Sequence, residues 1–402
     1  MHIRTALLET KKGAITALGE MAAHTGGAFV PFTAEVMTAL LNAAVNNWHP
    51  LVKAEVADAM SSMIVPFVAQ DHNGEISWEK GDIAGPSPLS ANTTRAAGVL
   101  LKALVEMMKD DSKEVVGKAC ESVQSIIELC GPHSLASVAN DCLEVTYAIL
   151  AKESPCQQDE YGEEFGDDDD DHDAFMISVC DLVGSFGRVM GQHLVQYLSK
   201  FLPVICTYAK ESRPPSDRSM AIGCLGELAQ ELEGGIAEHW STIFYPACIA
   251  GLSDSDDSVK RNAAFCVGVC CEGLGQSVVS QYGAILQALS PLFSLDITEG
   301  DNTSAVVDNA SAAVARMIQT SPTHVPMAQV LPVLLQALPL KSDMTENETV
   351  YNCLFGLLQQ NQSDLMANKV ELSRVFTEAA SESSKVDDEL KEKLKLALQS
   401  LN

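Results

Sequence analysis

Aromatic side chains are scarce in this 402-residue chain, at 5%, and basic ones are outnumbered: 26 Lys and Arg stand against 54 Asp and Glu, a formal charge of −28. So large an acidic excess argues against a nucleic-acid binder, whose affinity rests on Lys and Arg neutralising phosphates. It argues equally against a polybasic membrane-surface protein and favours basic partners drawn in by long-range attraction. No run of about 18 uncharged apolar residues stands out, so membrane insertion is not expected. The opening MHIRTALLETKK lacks the apolar stretch of a secretory signal. Strand alternation is missing throughout, which makes the chain all-α.

Signatures of chemistry are missing as well. There is no CxxC or HExxH, and Cys270 and Cys271 are adjacent with no His at ligand spacing. GSFGRVMG, from Gly184 to Gly191, continues a helical pattern instead of following a strand, so it is no dinucleotide loop. The reading is a protein that is not an enzyme and needs no cofactor or metal. Twelve Cys in so long a chain are no disulfide scaffold. Those set within apolar helical patterns (Cys120, Cys180, Cys224, Cys266, Cys353) are expected to be reduced thiols packed as small hydrophobes.

What is present is a repeat. MAIGCLGELAQEL, from Met220, has relatives in GAITALGEMAAHT from Gly13, FMISVCDLVGSFG from Phe175 and NAAFCVGVCCEGL from Asn262. Aligned on a central, mostly small residue, the copies place Gly19, Ser62, Gln124, Gly184, Gly226, Gly268, Ala315 and Gly356 in register. The unit is about 42 residues, twice lengthened by about 20, which matches HEAT or armadillo repeats and exceeds tetratricopeptide and ankyrin units. Apolar residues five before, one before and two after the centre (Ala221, Leu225, Leu228; Ala263, Val267, Cys270) form one helical stripe. A second apolar helix precedes each, over 193–208, 240–252, 279–293 and 325–338, and polar turns such as SDSDDS and RPPSD separate the two.

Each unit is therefore an antiparallel helical hairpin. Residues 1–402 are expected to form one HEAT-repeat α-solenoid of about nine hairpins. The opening helix over 11–23 lacks a partner, as in a piece of a longer solenoid, and the last, over 387–401, is placed as a natural end.

Two insertions interrupt the period. Residues 69–91 form an inter-repeat loop containing Trp78, expected to pin the loop on the helices. Residues 155–173 carry ten acidic residues and no Lys or Arg, including Asp167, Asp168, Asp169, Asp170 and Asp171. Self-repulsion predicts an extended, disordered acidic loop able to tether basic cargo.

In a HEAT solenoid the second helices line the concave face. Polar residues there, off the core stripe, are the candidate contacts: Asp181, Glu227, Asn262, Glu272, Asp308 and Asn309. An Asn can bond the backbone of an extended peptide, carboxylates can hold Lys or Arg, and Tyr208 can lie against a cationic side chain.

The segments DDSVKRNAAFCVGVCCE (256–272), VVDNASAAVARMIQTSPTHVP with LLQALPLKSD (306–343), KKGAITALGEMAAHTGGAFVPF near the start, and the acidic run before DAFMISVCDLVGSFG resemble the C-terminal part of karyopherin-β nuclear transport receptors of the importin-four type. The resemblance covers essentially the whole chain. It implies a cargo-binding module that recognises basic segments, such as histone H3 or H4 tails or ribosomal proteins, in a monomer that shuttles between cytoplasm and nucleus. It implies nucleoporins and Ran-GTP as partners of a full-length receptor whose main Ran-binding repeats lie outside this chain. It also implies inner-surface roles for Asn262 and Asn309 and, by placement alone, pocket roles for Tyr208 and Glu299. The alternative is a HEAT scaffold subunit of a constitutive complex, of phosphatase or chromosome-associated type.

Overall fold

The structure, a computed structural model, describes residues 2–46, 49–158, 169–297 and 301–401, the side chains of 2–5, 169–173 and 301 apart. Among the described residues every regular element is helical. Two compact units, Met1–Ile205 and Cys206–Asn402, divide the chain.

The first unit holds α1 (His2–Thr25), α2 (Val30–Asn46), α3 (Pro50–Ser62), α4 (Val65–His72), α5 (Ala91–Met107), α6 (Lys113–Cys130), α7 (Ala139–Leu150) and α8 (Asp169–Met190), with α9 (Leu198–Tyr208) reaching its end. Here α1, α3, α6 and α8 stack side by side as one layer, while α5 and α7 belong to the other. The second unit holds α10 (Pro215–Leu232), α11 (Tyr245–Leu252), α12 (Asp257–Leu274), α13 (Tyr282–Leu289), α14 (Asp301–Thr320), α15 (Met327–Ala337), α16 (Asn347–Gln359), α17 (Ser363–Ala367), α18 (Lys369–Ala379) and α19 (Asp388–Leu401). In it α10, α12, α14 and α16 stack in sequence, and α11 packs beside α13 in the outer row.

The second helix of each repeat begins on the polar turns seen in the sequence. Asp256 caps α12, its carboxylate accepting from the N–H groups of Ser258 (2.9 Å) and Val259 (3.2 Å). The first helices are less regular than their apolar pattern predicts. Residues 240–244 form a π turn before α11, and 3-10 turns flank α13 at 275–281 and 290–294. Prolines supply the reason, since Pro203 and Pro332 lie inside helices and Pro246 and Pro291 at helix starts, each without an N–H to continue the ladder.

The central small residues sit where second helices approach. A Cβ on Gly268 would stand 2.9 Å from Ala313 Cα, and one on Gly226 would stand 2.8 Å from Phe265 Cδ1. Gly268→Val should therefore destabilise the second unit by about 1–3 kcal/mol through overpacking. A melting temperature lowered by several degrees in calorimetry is the expected result, and an unchanged one would contradict this close approach.

The stretches 6–46, 174–208 and 257–294 are long and apolar enough to cross a membrane by length and composition. Each consists of successive helices broken at a glycine with positive φ (Gly26, Gly191, Gly275), and 78% of the second stretch's most apolar window is buried inside the protein. The second stretch carries this apolarity because it faces packed neighbours, whereas 17% of the first stretch's window is buried.

The insertions are shorter than expected. Helix α4 continues to His72, leaving 73–90 as loop. Trp78 pins that loop: its indole donates to Glu128 O (3.2 Å), and a Cβ on Gly131 would lie 2.4 Å from the ring. In the acidic insertion, Pro155–Gln157 forms a 3-10 turn and α8 starts at Asp169, five residues before the expected Ala174. Asp169, Asp170 and Asp171 thus belong to the helix. Asp167, Asp168 and the rest of 159–168 lie outside the described residues, as does Glu299.

Candidate functional site

The layer of α1, α3, α6 and α8 carries a ladder of carboxylates. Glu55 on α3 accepts a bond from Thr16 and faces Lys12 at 3.7 Å. Asp58, one turn further, lies 3.9 Å from Lys118 of α6, which pairs more closely with Glu121 at 2.5 Å. Glu121 also accepts from Ser178 of α8 at 3.0 Å. Two turns along α6, Glu128 accepts from Ser185 (2.6 Å) and from Arg188 (3.1 Å). Ser178 and Ser185 thus hold two carboxylates at the α6–α8 seam. The Trp78 loop supports the same end, because Gly81 N–H donates to Val189 O at 2.9 Å.

Asp181 of α8 lies beside this seam, half-buried. Burial raises its pKa, and the charges of Glu121 and Glu128 raise it further; no cation is among the causes. Asp58 is raised too, by burial first, with Lys118 opposing and Glu55, Glu121 and Glu20 adding to the rise. Burial works to lower Lys118, but its bond to Glu121 and the nearby carboxylates leave it raised. Along the ladder the carboxylates of Glu55, Asp58, Glu121, Glu128 and Asp181 outnumber the cations of Lys12, Lys118 and Arg188. An ammonium or guanidinium group brought between Asp181, Glu121 and Glu128 would relieve repulsion as well as gain charge-assisted bonds.

Of the residues expected from sequence, Asp181 is the one placed here. Glu121 and Glu128 were missed, although the repeat register held the signal. Glu121 and Asp181 both sit three residues before their repeat centres, and Glu128 sits four after, on the same face two turns on. In the second unit the residues three before the centre are Gly223, Phe265, Ala312 and Cys353, and of those four after it only Glu272 is acidic, so the ladder recurs there as a single carboxylate.

The second-unit candidates hold helices together. Asn262 Nδ2 donates to Ser219 O (2.8 Å) and Oγ (3.0 Å) of α10, and its Oδ1 accepts from Arg261 Nε (3.1 Å). Gly223 makes room, since a Cβ there would stand 3.0 Å from Asn262 Nδ2. Asn309 is buried and donates to Ala305 O (3.0 Å) and Asp343 Oδ2 (2.9 Å).

Asp308, 1% exposed, accepts from three successive backbone N–H groups: Lys341 (3.0 Å), Ser342 (2.7 Å) and Asp343 (2.8 Å). Burial raises its pKa against these three bonds, which act to lower it. The Asp308–Asn309 pair thus accounts for the LKSD segment as the connection that leads into α16. Glu272 is exposed and bonds Arg316 Nε at 3.1 Å, while buried Arg316 also reaches Glu346 at 2.9 Å. Tyr208 is 3% exposed, with the Arg213 guanidinium 5.2 Å from its ring centroid, so a cation of the protein itself takes the place expected for a ligand's. Glu227 is half-buried and already engaged.

A separate apolar cleft of about 340 Å³ opens between α13 and α15, lined by Leu286, Phe293, Val330 and Val333 among others.

The HEAT repeat family model matches residues 244–274, the hairpin of α11 and α12. The chain is 32% identical over 229 residues to a probable importin subunit beta-4 of Schizosaccharomyces pombe, covering 56% of this chain and 21% of that protein. It is 27% identical over 381 residues to importin-4 of Mus musculus, covering 93% and 34% respectively. Among solved structures, the karyopherin Kap121p bound to the SUMO protease Ulp1p superposes with a TM-score of 0.74 at 18% identity, covering 99% of this chain and 35% of that one. Kap121p bound to Pho4p gives 0.72 at 17% identity, covering 99% and 34%. The chain thus spans between a fifth and about a third of the relatives' lengths.

Proposed function

We propose that this chain, a HEAT-repeat member of the importin-β family, is a nuclear import receptor's cargo-binding region, and that the carboxylates of α3, α6 and α8 hold a Lys-rich segment in extended form. The observation that carries this is the row of carboxylates across α3, α6 and α8, in which Glu121 accepts from Ser178 and Glu128 from Ser185 across the α6–α8 seam, with half-buried Asp181 one turn from each serine. The overall charge of −28 supports the same class of ligand by attracting it from a distance. The importin relatives, and the karyopherin Kap121p structures bound to Ulp1p and Pho4p, support transport as the setting. The histone H3 tail is the cargo proposed first, with H4 and ribosomal proteins as others of the same chemistry.

The acidic run over 159–168 would add local attraction for such cargo, and Glu272, an exposed carboxylate of the second unit paired with Arg316, would add to the acidity of that unit. Asn262 and Asn309 act in this proposal as struts between helices. The cleft between α13 and α15 suits an apolar side chain of a nucleoporin. Ran-GTP binding belongs to the longer receptor, which would work as a monomer moving between cytoplasm and nucleus.

Isothermal calorimetry with an H3-tail peptide at about 0.1 M salt should give a micromolar or tighter Kd that weakens steeply with added salt. Acetylating the peptide's lysines should weaken it further, since the charge is lost. No binding, or binding indifferent to both changes, would overturn the proposal and favour a constitutive scaffold, whose interface is large and apolar.

A further inference from the structure

Three thiols meet inside the hairpin of α11 and α12. Cys266 and Cys270 lie one turn apart on α12, and Cys248 of α11 faces them. All three are fully buried. Their sulfurs lie within 4.8 Å of one another, and Cys248 Sγ is 3.4 Å from Cys266 Sγ. No other group of three or more such ligand atoms converges among the described residues. The adjacent Cys271 does not join it, although it is buried as well. Close helix approach holds the triangle in place: a Cβ on Gly251 of α11 would stand 2.7 Å from Ala263 Cβ of α12.

The geometry points to a binding site for one soft monovalent metal ion, Cu(I), held by the sulfurs of Cys248, Cys266 and Cys270. Sulfur ligands select Cu(I) and zinc over the oxygen-seeking ions. Structural zinc takes four ligands, and catalytic zinc fills its fourth position with water or substrate. Neither fits here, because among the described residues no His, Cys, Asp or Glu supplies a fourth atom, and the three sulfurs are fully buried, away from bulk water. A three-sulfur cage matches the lower coordination number of Cu(I).

Binding would form copper–sulfur bonds as thiol protons leave to solvent, with copper staying in the Cu(I) state, and entry would need local opening of the hairpin. The ion would tie α11 to α12 and stabilise the repeat by mass action. This site is independent of the acidic ladder.

The test is an anaerobic titration of the reduced full chain with Cu(I) against bicinchoninate, a chromogenic Cu(I) chelator. One equivalent should be withheld from the chelator, with a rise in melting temperature, while Zn(II) is released to a weaker chelator. Cys266→Ala and Cys248→Ala should each lower copper affinity by more than the roughly 10–100-fold that loss of an outer partner costs, and Cys353→Ala should leave it unchanged. X-ray absorption on the wild-type complex, which needs no variant to fold, should show sulfur neighbours only. Complete transfer of copper to the chelator, nitrogen or oxygen ligands, tighter retention of zinc, or an equivalent that survives both cysteine changes would overturn the assignment.

Discussion

Replacing Glu121, Glu128 and Asp181 together by Lys should abolish binding of a Lys-rich peptide, a loss of at least about 100-fold. The estimate follows from three charge-assisted contacts turned into repulsions, each worth on the order of 1 kcal/mol or more at a partly shielded site. The same change should reduce the salt dependence of whatever binding is left, because fewer charges are neutralised. Unchanged affinity in calorimetry would sink this face as the site.

Asp181→Asn alone separates binding from stability. Its raised pKa means that ionisation is disfavoured in the fold, so stability falls as pH rises through the folded pKa and the cost persists at neutral pH. The variant should melt slightly higher yet bind the peptide more weakly. As pH is lowered towards the ordinary Asp range, peptide affinity of the wild type should begin to fall earlier than that of Asp181→Asn, because Asp58 and Asp181 protonate ahead of an ordinary Asp. Identical pH profiles for the two proteins would mean that Asp181 does not touch the ligand.

The second large effect is structural. Asp308→Ala should destabilise the second unit by about 3–5 kcal/mol, because three backbone donors of 341–343 lose an acceptor whose bonds are each worth about 1.5–3 kcal/mol, offset in part by relief from burying the carboxylate. A shift of this size is near 10 °C for a unit of roughly 200 residues. Asp308→Asn, which keeps one acceptor oxygen, should fall between. A wild-type melting curve for Asp308→Ala would mean that the connection holds without it. Any loss of peptide binding in that variant should track unfolding, unlike the loss expected from the α6–α8 face.

Much of the fold was legible along the chain because a HEAT hairpin is a local object. The 42-residue period, the apolar stripe and Asp256 as a cap concern residues within a few turns of each other. Periodicity therefore revealed the helices, and the register of small residues indicated where they touch: Gly226 and Gly268 are points of close approach. Irregular first helices were not legible, since an apolar pattern does not report whether a turn is α, π or 3-10.

The site was legible only as a type of chemistry. Charge alone determined that a basic ligand is the one to seek. Which polar residues are free to meet it depended on neighbours 34 to 57 positions away. Asn262 is committed to Ser219, Asn309 to Asp343 and Glu128 to Ser185, each a bond between separate helices. The convergence of Cys248 with Cys266 and Cys270 arises likewise from one helix laid against another. Sequence determined the repeat, its helices and its acidity, because these depend on nearest neighbours and on simple sums. Tertiary structure decided which side chains are struts, which carboxylates repel and which thiols meet, because those properties exist only once stacked helices bring distant residues within bonding distance.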